Sequence, residues 1–433
     1  MNKSNFSTGM INFIDKSPSM FHVTNNVIEK LKHNNYVELD PRDDWVLSKN
    51  GKYFVTNYGE GLIAFDTGEC PVKNGFCIIG SHIDSPGFRV KSDSKIISEK
   101  HYVKLNTEVY GGPILSTWYD RPLSIAGRAV IDNKENNNIE VKLFNIDHNT
   151  LVIPQLAIHM NREVNSGVNI NPQNDTLPLM TLNCDFNLEM AIANSINCNA
   201  DEILSFDAYL YDRQPGCVIG AENELIQVGK LDNLAMVYSS LEALINSKPT
   251  AGIKVIAMFN NEEIGSLTNS GAASPWLKDT LTRIIIGLGY NVENFYQAIY
   301  NSFMISADQA HAVHPNAVDK HDPTHRPVMG KGPVIKVAAN QSYTSNAVTI
   351  GHLKNIASIN DIPIQLFYNK SDVKGGSTIG PINTGQLNMA SIDIGNPLLA
   401  MHSIRELGSI KDNDLMLKLL VSLLESDNKR PRL

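Results

Sequence analysis

Apolar residues along the chain keep two different periods, and the alternation between them outlines the fold. From Thr24, Val27, Ile28 and Leu31 recur at helical spacing, and Lys52–Asp66 alternates like a hairpin around Tyr58-Gly59-Glu60-Gly61. Phe76-Cys77-Ile78-Ile79-Gly80 is a compact apolar run ending at polar residues, the pattern of a buried strand whose carboxyl end is exposed. From about Ser92 to Gln227 the texture changes to short alternating runs (Tyr102–Leu105, Ile139–Phe144) and turn clusters such as Asp132–Asn138, with no helical period before Asn187–Asn194. Beyond it, Asp232–Ile245 predicts a helix with Leu234, Val237, Leu241 and Leu244 on one face, followed by a buried strand over Gly252–Phe259. Helices near Asp279–Gly287, Ser345–Ile359 and Asp412–Leu424 then alternate with strands at Ser302–Ser306, Ile364–Tyr368 and Met389–Ile394. Strands alternating with helices imply an α/β domain of three layers around a mostly parallel mixed sheet. The expected organisation is a first segment of that domain over 1–91, a mostly β insertion over 92–227, and a second segment over 228–433.

Composition narrows the class. A chain of 433 residues with 42% hydrophobic and 19% charged positions has ample material for a packed core. Its net charge of −8 argues against a partner built of nucleic-acid phosphates. The longest apolar stretches, Arg283–Leu288 and Leu415–Leu424, fall well short of the roughly 20 apolar residues of a membrane span, so no membrane partner is expected. The start Met1-Asn2-Lys3-Ser4-Asn5-Phe6 lacks the features of a secretory signal, which leaves the cytoplasm as the expected address. Cys70, Cys77, Cys184, Cys198 and Cys217 are odd in number and never in Cys-x-x-Cys spacing, so neither a disulfide framework nor a structural zinc cage is indicated.

Acid- and His-bearing clusters sit where predicted strands end, and that placement is the main functional signal. In Gly80-Ser81-His82-Ile83-Asp84-Ser85-Pro86, residues two apart in extended backbone face the same side, so Asp84 can orient the ring of His82 toward a metal. Taken alone, His-x-Asp is more often a satisfied structural histidine. Asp232, in Leu231-Asp232-Asn233-Leu234, would by itself be a helix cap. Asn260-Asn261-Glu262-Glu263-Ile264-Gly265-Ser266 places adjacent carboxylates directly after a strand, where one can ligate a metal while the other acts as general base. Asp308 in Ser306–Asn316 is a further candidate ligand, with His311 and His314 read as substrate-side or structural, and His402 follows a strand and a turn. Together His82, Asp232, Glu263, Asp308 and His402 form a mixed His/carboxylate set suited to zinc, manganese or cobalt. With one shared carboxylate, five ligands can hold two divalent ions about 3.5–4 Å apart, the layout of a metallohydrolase.

On these motifs the chain resembles the aspartyl aminopeptidase family of dinuclear metallopeptidases, within the co-catalytic zinc exopeptidases. The matching stretches run in family order from Gly80–Pro86 through Leu231–Leu234, Asn261–Ser266, Asp308–Asn316, Gly332–Lys336 and Gly376–Pro381 to Met401-His402-Ser403. The resemblance implies that His82 and Asp308 belong to one metal, Glu263 and His402 to the other, and that Asp232 bridges them. It makes Glu262 the general base and Asp84 the acid behind His82. It further implies that the insertion is a dimerisation domain, that subunits assemble into a tetrahedral shell of twelve, and that His159 extends into a neighbouring subunit's active site. The expected substrates are peptides with a free N-terminus, beginning with Asp or Glu, and the expected cofactor is two divalent ions per subunit, zinc before manganese or cobalt.

An acidic substrate needs a positive group, and Lys336 is the first candidate, with an ordinary surface lysine as the alternative. Tyr343 and His311 complete the substrate-side set. Three positions depart from the family pattern: Asn260 where Asp is usual, Ser342 where Arg often stands, and Lys374-Gly375 where Pro-Cys is frequent. They bear on the acidic preference, since all five ligands and the base are present. Two other functions stay open at this point: a broad or neutral-residue metalloaminopeptidase, and a shell-forming scaffold or cargo protein whose metal site is structural.

Overall fold

The computed structural model describes residues 3–134, 138–167 and 169–426. Glu135–Asn137 of the expected turn cluster and 427–433 of the polar tail lie outside the described residues. A nine-stranded sheet forms the centre, in the spatial order Val37–Glu38, Lys52–Thr56, Leu62–Asp66, Ile253–Phe259, Phe76–His82, Phe303–Ala307, Ala390–Gly395, Val334–Val337 and Gln365–Tyr368. The four strands Ile253–Phe259, Phe76–His82, Phe303–Ala307 and Ala390–Gly395 are mutually parallel. Their continuous apolar runs follow from burial on both faces.

Alternation along these strands feeds two layers. Ile253, Val255, Ala257 and Phe259 pack with the helices Trp276–Gly287 and Val292–Tyr300, whereas Ile256 and Met258 face the helices Lys3–Asp15, Met20–His33, Leu231–Asn246 and Ile410–Leu424. The three-layer α/β architecture expected from the sequence is therefore the observed one.

A six-stranded antiparallel sheet, Asn138–Asn145, Leu123–Asn133, Ile203–Asp212, Gly87–Ser98, Tyr102–Tyr110 and Leu179–Thr181, carries its own core around Phe88, Trp118, Leu123, Ile125 and Phe144. Its strand Gly87–Ser98 runs through the expected change of texture at 92, because Phe88 and Val90 already point into that second core. A small antiparallel sheet, Cys217–Ile219, Leu225–Val228 and Glu406–Ser409, joins the end of the inserted stretch to a strand near the end of the chain. Three of the longer helices are not among those expected from the sequence pattern: Lys3–Asp15, Val292–Tyr300 and Ile379–Gln386.

Candidate metal centre

Parallel register brings three of the clusters to one edge of the sheet. His82 ends its strand opposite Phe259, and Ser306 pairs with Gly80, so Asp308 arrives beside His82 and Glu262-Glu263 turn in from the neighbouring strand. This is the carboxyl edge, where open α/β sheets place their ligands. Asp232 enters from the start of the helix Leu231–Asn246 but does not cap it: its backbone is non-helical (φ −83°, ψ 104°), the Asp232–Asn233 peptide is cis, and the cap position belongs to Lys230. Asn233 Nδ2 donates to Ala307 O (2.8 Å), and Gln309 Nε2 to Leu231 O (2.9 Å), which fastens this turn to the strand end that carries Asp308.

The two histidines are oriented alike. His82 directs Nδ1 at the Asp84 backbone oxygen (3.1 Å) and carboxylate (3.3 Å), leaving Nε2 3.4 Å from Asp232 Oδ1 and 3.8 Å from Asp308 Oδ1. His402 directs Nδ1 at Gly112 O (3.1 Å), leaving Nε2 3.4 Å from both Asp232 Oδ2 and Glu263 Oε1. The partner at Nδ1 selects the tautomer and presents Nε2 inward. Gly112 belongs to the loop after the strand Tyr102–Tyr110, where Gly111 is in the left-handed region (φ 67°) and a Cβ would lie 3.2 Å from Glu263 Cβ. The loop from the inserted sheet can approach the site this closely because Gly111 has no side chain.

Asp84 is the hub of a further network. Its Oδ2 accepts from Tyr110 Oη (2.8 Å) and Glu263 N (3.1 Å), and its Oδ1 accepts from Glu262 N (3.1 Å), so one buried carboxylate orients the ring of His82 and holds the turn of both glutamates. Tyr110, Gly112 and Gln309 carry no signal in the sequence pattern, because each acts through a contact that only the folded chain creates.

Ligand atoms of His82, Asp232 and Asp308 lie within 4.8 Å of one another, as do those of Asp232, Glu263 and His402, so Asp232 is common to both triads. His82, Glu262 and Glu263 form a third such grouping. Donors held tetrahedrally at about 2.0–2.2 Å from a zinc ion stand about 3.3–3.6 Å apart, close to the separations found. Asp232 Oδ1 and Glu263 Oε1 are buried without a hydrogen-bond partner, an expensive arrangement unless a cation satisfies them. The residues present therefore fit a pair of divalent ions.

Electrostatics agree with that fit. Burial, helped by Asp308 and Asp84 and opposed by His82, pushes the Glu262 carboxyl up to about 7. Burial and the charge of Asp232 push Glu263 up to about 9. Burial works against protonation of His402, yet Asp232 and Glu263 outweigh it and raise the ring to about 9; His82 is likewise raised by Asp232, Asp308 and Asp84. Asp232 is held low despite its burial, by the imidazoles of His402 and His82. Glu262, Glu263 and the two imidazoles retain protons that a cation would displace.

The cluster opens into a cavity of about 430 Å³ whose wall includes Glu262, His311, Lys336, Tyr343 and Thr378. Lys336 is 3% exposed, which removes the surface-lysine alternative. Its ammonium meets Asp308 Oδ2 (3.4 Å) and Gln309 O (3.0 Å) and lies over the Tyr343 ring. His159 is not brought to this cavity: it sits exposed in a turn of the inserted stretch. Among the departures from the family pattern, Asn260 is buried and its side-chain oxygen accepts from Asn261 N (2.9 Å), whereas Lys374 is exposed.

Among known proteins, the family model described as aminopeptidase I zinc metalloprotease (M18) matches residues 13–423. The chain is 49% identical over 418 residues to the probable M18 family aminopeptidase 2 of Clostridium acetobutylicum, covering 95% of this chain and 96% of that one. The cryo-EM structure of the Ape4 and Nbr1 complex superposes with a TM-score of 0.94 at 33% identity, over 98% of this chain and 86% of that chain. A structure of the mApe1 dodecamer of S. cerevesiae gives 0.86 at 24% identity, over 99% of both chains, a likeness of fold.

Proposed function

Because the chain belongs to the aminopeptidase I family of zinc metalloproteases, M18, and is a metal-dependent aminopeptidase, we propose that it releases Asp and Glu from peptide N-termini with two divalent ions shared across Asp232. The observation that carries this reading is the pair of triads meeting at Asp232, with both imidazole Nε2 atoms turned inward and two buried carboxylate oxygens unpartnered. His82 and Asp308 hold one ion, Glu263 and His402 the other. Bound there, two divalent ions supply Lewis acidity for the scissile carbonyl and acidify the attacking water.

The chain's own groups do the rest. Glu262 lies outside the two triads, in the cavity wall, and in the metal-free protein burial raises its carboxyl to about 7. It takes the proton of the attacking water and delivers it to the leaving amine nitrogen. Asp84, through the backbone N–H of Glu262 and Glu263, keeps these two carboxylates in their separate orientations. The free α-amine of the substrate binds beside the carboxylates, and its acidic side chain extends toward Lys336 and Tyr343, with His311 on the same wall. Zinc is the expected ion, with manganese or cobalt acceptable to the same donors.

The inserted six-stranded sheet is the proposed dimerisation domain, and dimers build a dodecameric, tetrahedral shell in the cytoplasm. Leu156 (54% exposed), Ile158 (49%) and Met160 (71%) flank His159, and apolar side chains so exposed favour burial against a neighbouring subunit, with His159 reaching that subunit's site.

A second reading, a broad or neutral-residue aminopeptidase, is favoured by one observation: the ammonium of Lys336 is already engaged by Asp308 and Gln309. Hydrolysis of Asp-, Glu-, Leu- and Ala-initiated peptides by the metal-reconstituted protein, with a chelated control, separates the two. Metal-dependent release of Asp or Glu is expected. Preferential release of Leu or Ala would select the second reading, and no release from any peptide would overturn both.

A further inference from the structure

We infer that Glu406 is the positioning residue of the metal centre, a backbone clamp that fixes Asp232 and His402 relative to each other. The inference rests on the metal-pair reading above and concerns a side chain that neither triad contains. Glu406 is 2% exposed, its Oε2 accepts from Asp232 N (2.9 Å), and its Oε1 accepts from His402 N (2.8 Å). One carboxylate thus ties together the shared ligand and a ligand of the second triad, from segments that lie far apart in sequence.

The surrounding backbone is built to bring these donors to one point. Glu406 opens the strand Glu406–Ser409 and pairs in register with Val228, the last residue of the strand that leads into Asp232. Between them, a Cβ at Gly229 would lie 2.7 Å from Ile404 O, so the chain leading to Asp232 packs directly on the segment that carries His402. His402 and Ala400 are both in the left-handed region (φ 67° and 57°), a conformation that non-glycine residues hold only where the surroundings impose it. The hydrogen bond from His402 N to Glu406 is one such constraint. Asp232 N lies in the first turn of its helix, where backbone N–H groups have no intrahelical acceptor.

A carboxyl group offers an oxygen to each of the two N–H groups, so it serves both at once. Glutamine in the same place offers one oxygen and sets its amide nitrogen against the other N–H. Glu406 is absent from the wall of the reaction cavity; with Asp232 and His402 it borders a separate cavity of about 380 Å³ between the inserted sheet and the first two helices. It therefore reaches the reaction through the two ligands, without touching the substrate. Partners of this kind are worth about 10- to 100-fold in metal affinity or activity.

The test is cobalt(II) uptake by wild type, Glu406→Gln and Glu406→Asp, followed by visible absorption and by competition with a chromophoric chelator. Wild type should bind two ions. Glu406→Gln should bind about 10- to 100-fold more weakly with an altered cobalt spectrum, and Glu406→Asp, whose shorter arm spans only one of the two N–H groups, should shift the same way by less. Wild-type affinity and spectrum in both variants would overturn the clamp while leaving the metal pair standing. No cobalt uptake by wild type would overturn the metal pair and the clamp with it. Hydrogen exchange of the metal-free wild type tests the clamp even if neither variant folds: amides of Asp232 and His402 protected before metal is added are expected, and rapid exchange at both would overturn it.

Discussion

The strand Ile253–Phe259 has buried charge at both ends, handled in opposite ways. At its start, the ammonium of Lys254, 2% exposed, meets Asp66 Oδ2 (3.0 Å), Ser247 Oγ (2.9 Å), Ser247 O (3.3 Å) and Lys248 O (3.2 Å), and Lys254 stands in register with Asp66 on the adjacent strand. At its other end, Glu262 and Glu263 join a carboxylate cluster in which two buried oxygens lack hydrogen-bond partners. The Lys254 ammonium is saturated and holds the sheet, with a single unpartnered oxygen, Asp66 Oδ1, beside it; at the other end several donors, among them two unpartnered oxygens, converge on the same points, the arrangement that suits ions. Burial of charge alone does not mark a reactive site. Convergence of several such donors on one point does.

Substitutions at the two ends should therefore break different properties. The largest effect is expected from Glu262→Gln, which should lower kcat by about 10²–10⁴-fold while the metal content stays at the wild-type value; a steady-state assay paired with metal analysis checks both halves. Lys254→Met should leave kcat and metal content unchanged yet cost about 3–5 kcal/mol of stability in urea unfolding, because Asp66 is left buried and unpaired. If Lys254→Met instead cost activity at full stability, the contrast between the two ends would fail. Asp84→Asn should fall between these classes, with a loss of about 10- to 100-fold in metal affinity and little change in melting temperature.

The smallest expected effect is a dependence of the metal-free protein on pH. Glu262, Glu263 and His402 all have raised values in the folded state, so the folded protein binds more protons than the unfolded chain. Their stabilisation is complete below the unfolded carboxyl range near 4.5 and disappears as pH rises through about 7 and then about 9. Melting of the chelated protein should accordingly move to lower temperature between pH 6 and pH 9.5. Reconstitution with metal should flatten or reverse that trend, since bound ions require deprotonated ligands. A metal-free protein that gains stability over this range would contradict the proton excess at the cluster.

Much of this arrangement was legible in the sequence because the local rule and the global one coincide. A buried parallel strand is a continuous apolar run, and the polar residues that end it, His82, Glu262-Glu263 and Asp308, necessarily meet at one sheet edge once the strands are neighbours. Glu406 was not legible, since its partners are two backbone N–H groups and a backbone group leaves no trace in residue type. Tyr110 and Gly112 were hidden for a related reason: they come from the inserted sheet, whose pattern says how its strands pair and nothing about which loop touches the other core. The helix Lys3–Asp15 buries Phe6, Met10 and Ile14 at helical spacing, but Gly9 and the Ser and Thr around it weaken the local propensity. Lys336 reads the same in sequence whether it is a surface cation or a buried one; only the cavity wall distinguishes them.

The scatter of the five proposed ligands along the chain also has a consequence in time. About 320 residues separate His82 from His402, and at synthesis rates of about 5–20 residues per second that interval lasts roughly 15–65 s on the ribosome. Throughout it the second triad lacks His402, and the carboxylate that binds the backbone of Asp232 has not been made. A nascent chain that has not yet reached His402 therefore carries only part of the proposed hydrolytic centre, and the capacity to cut peptides waits for that residue.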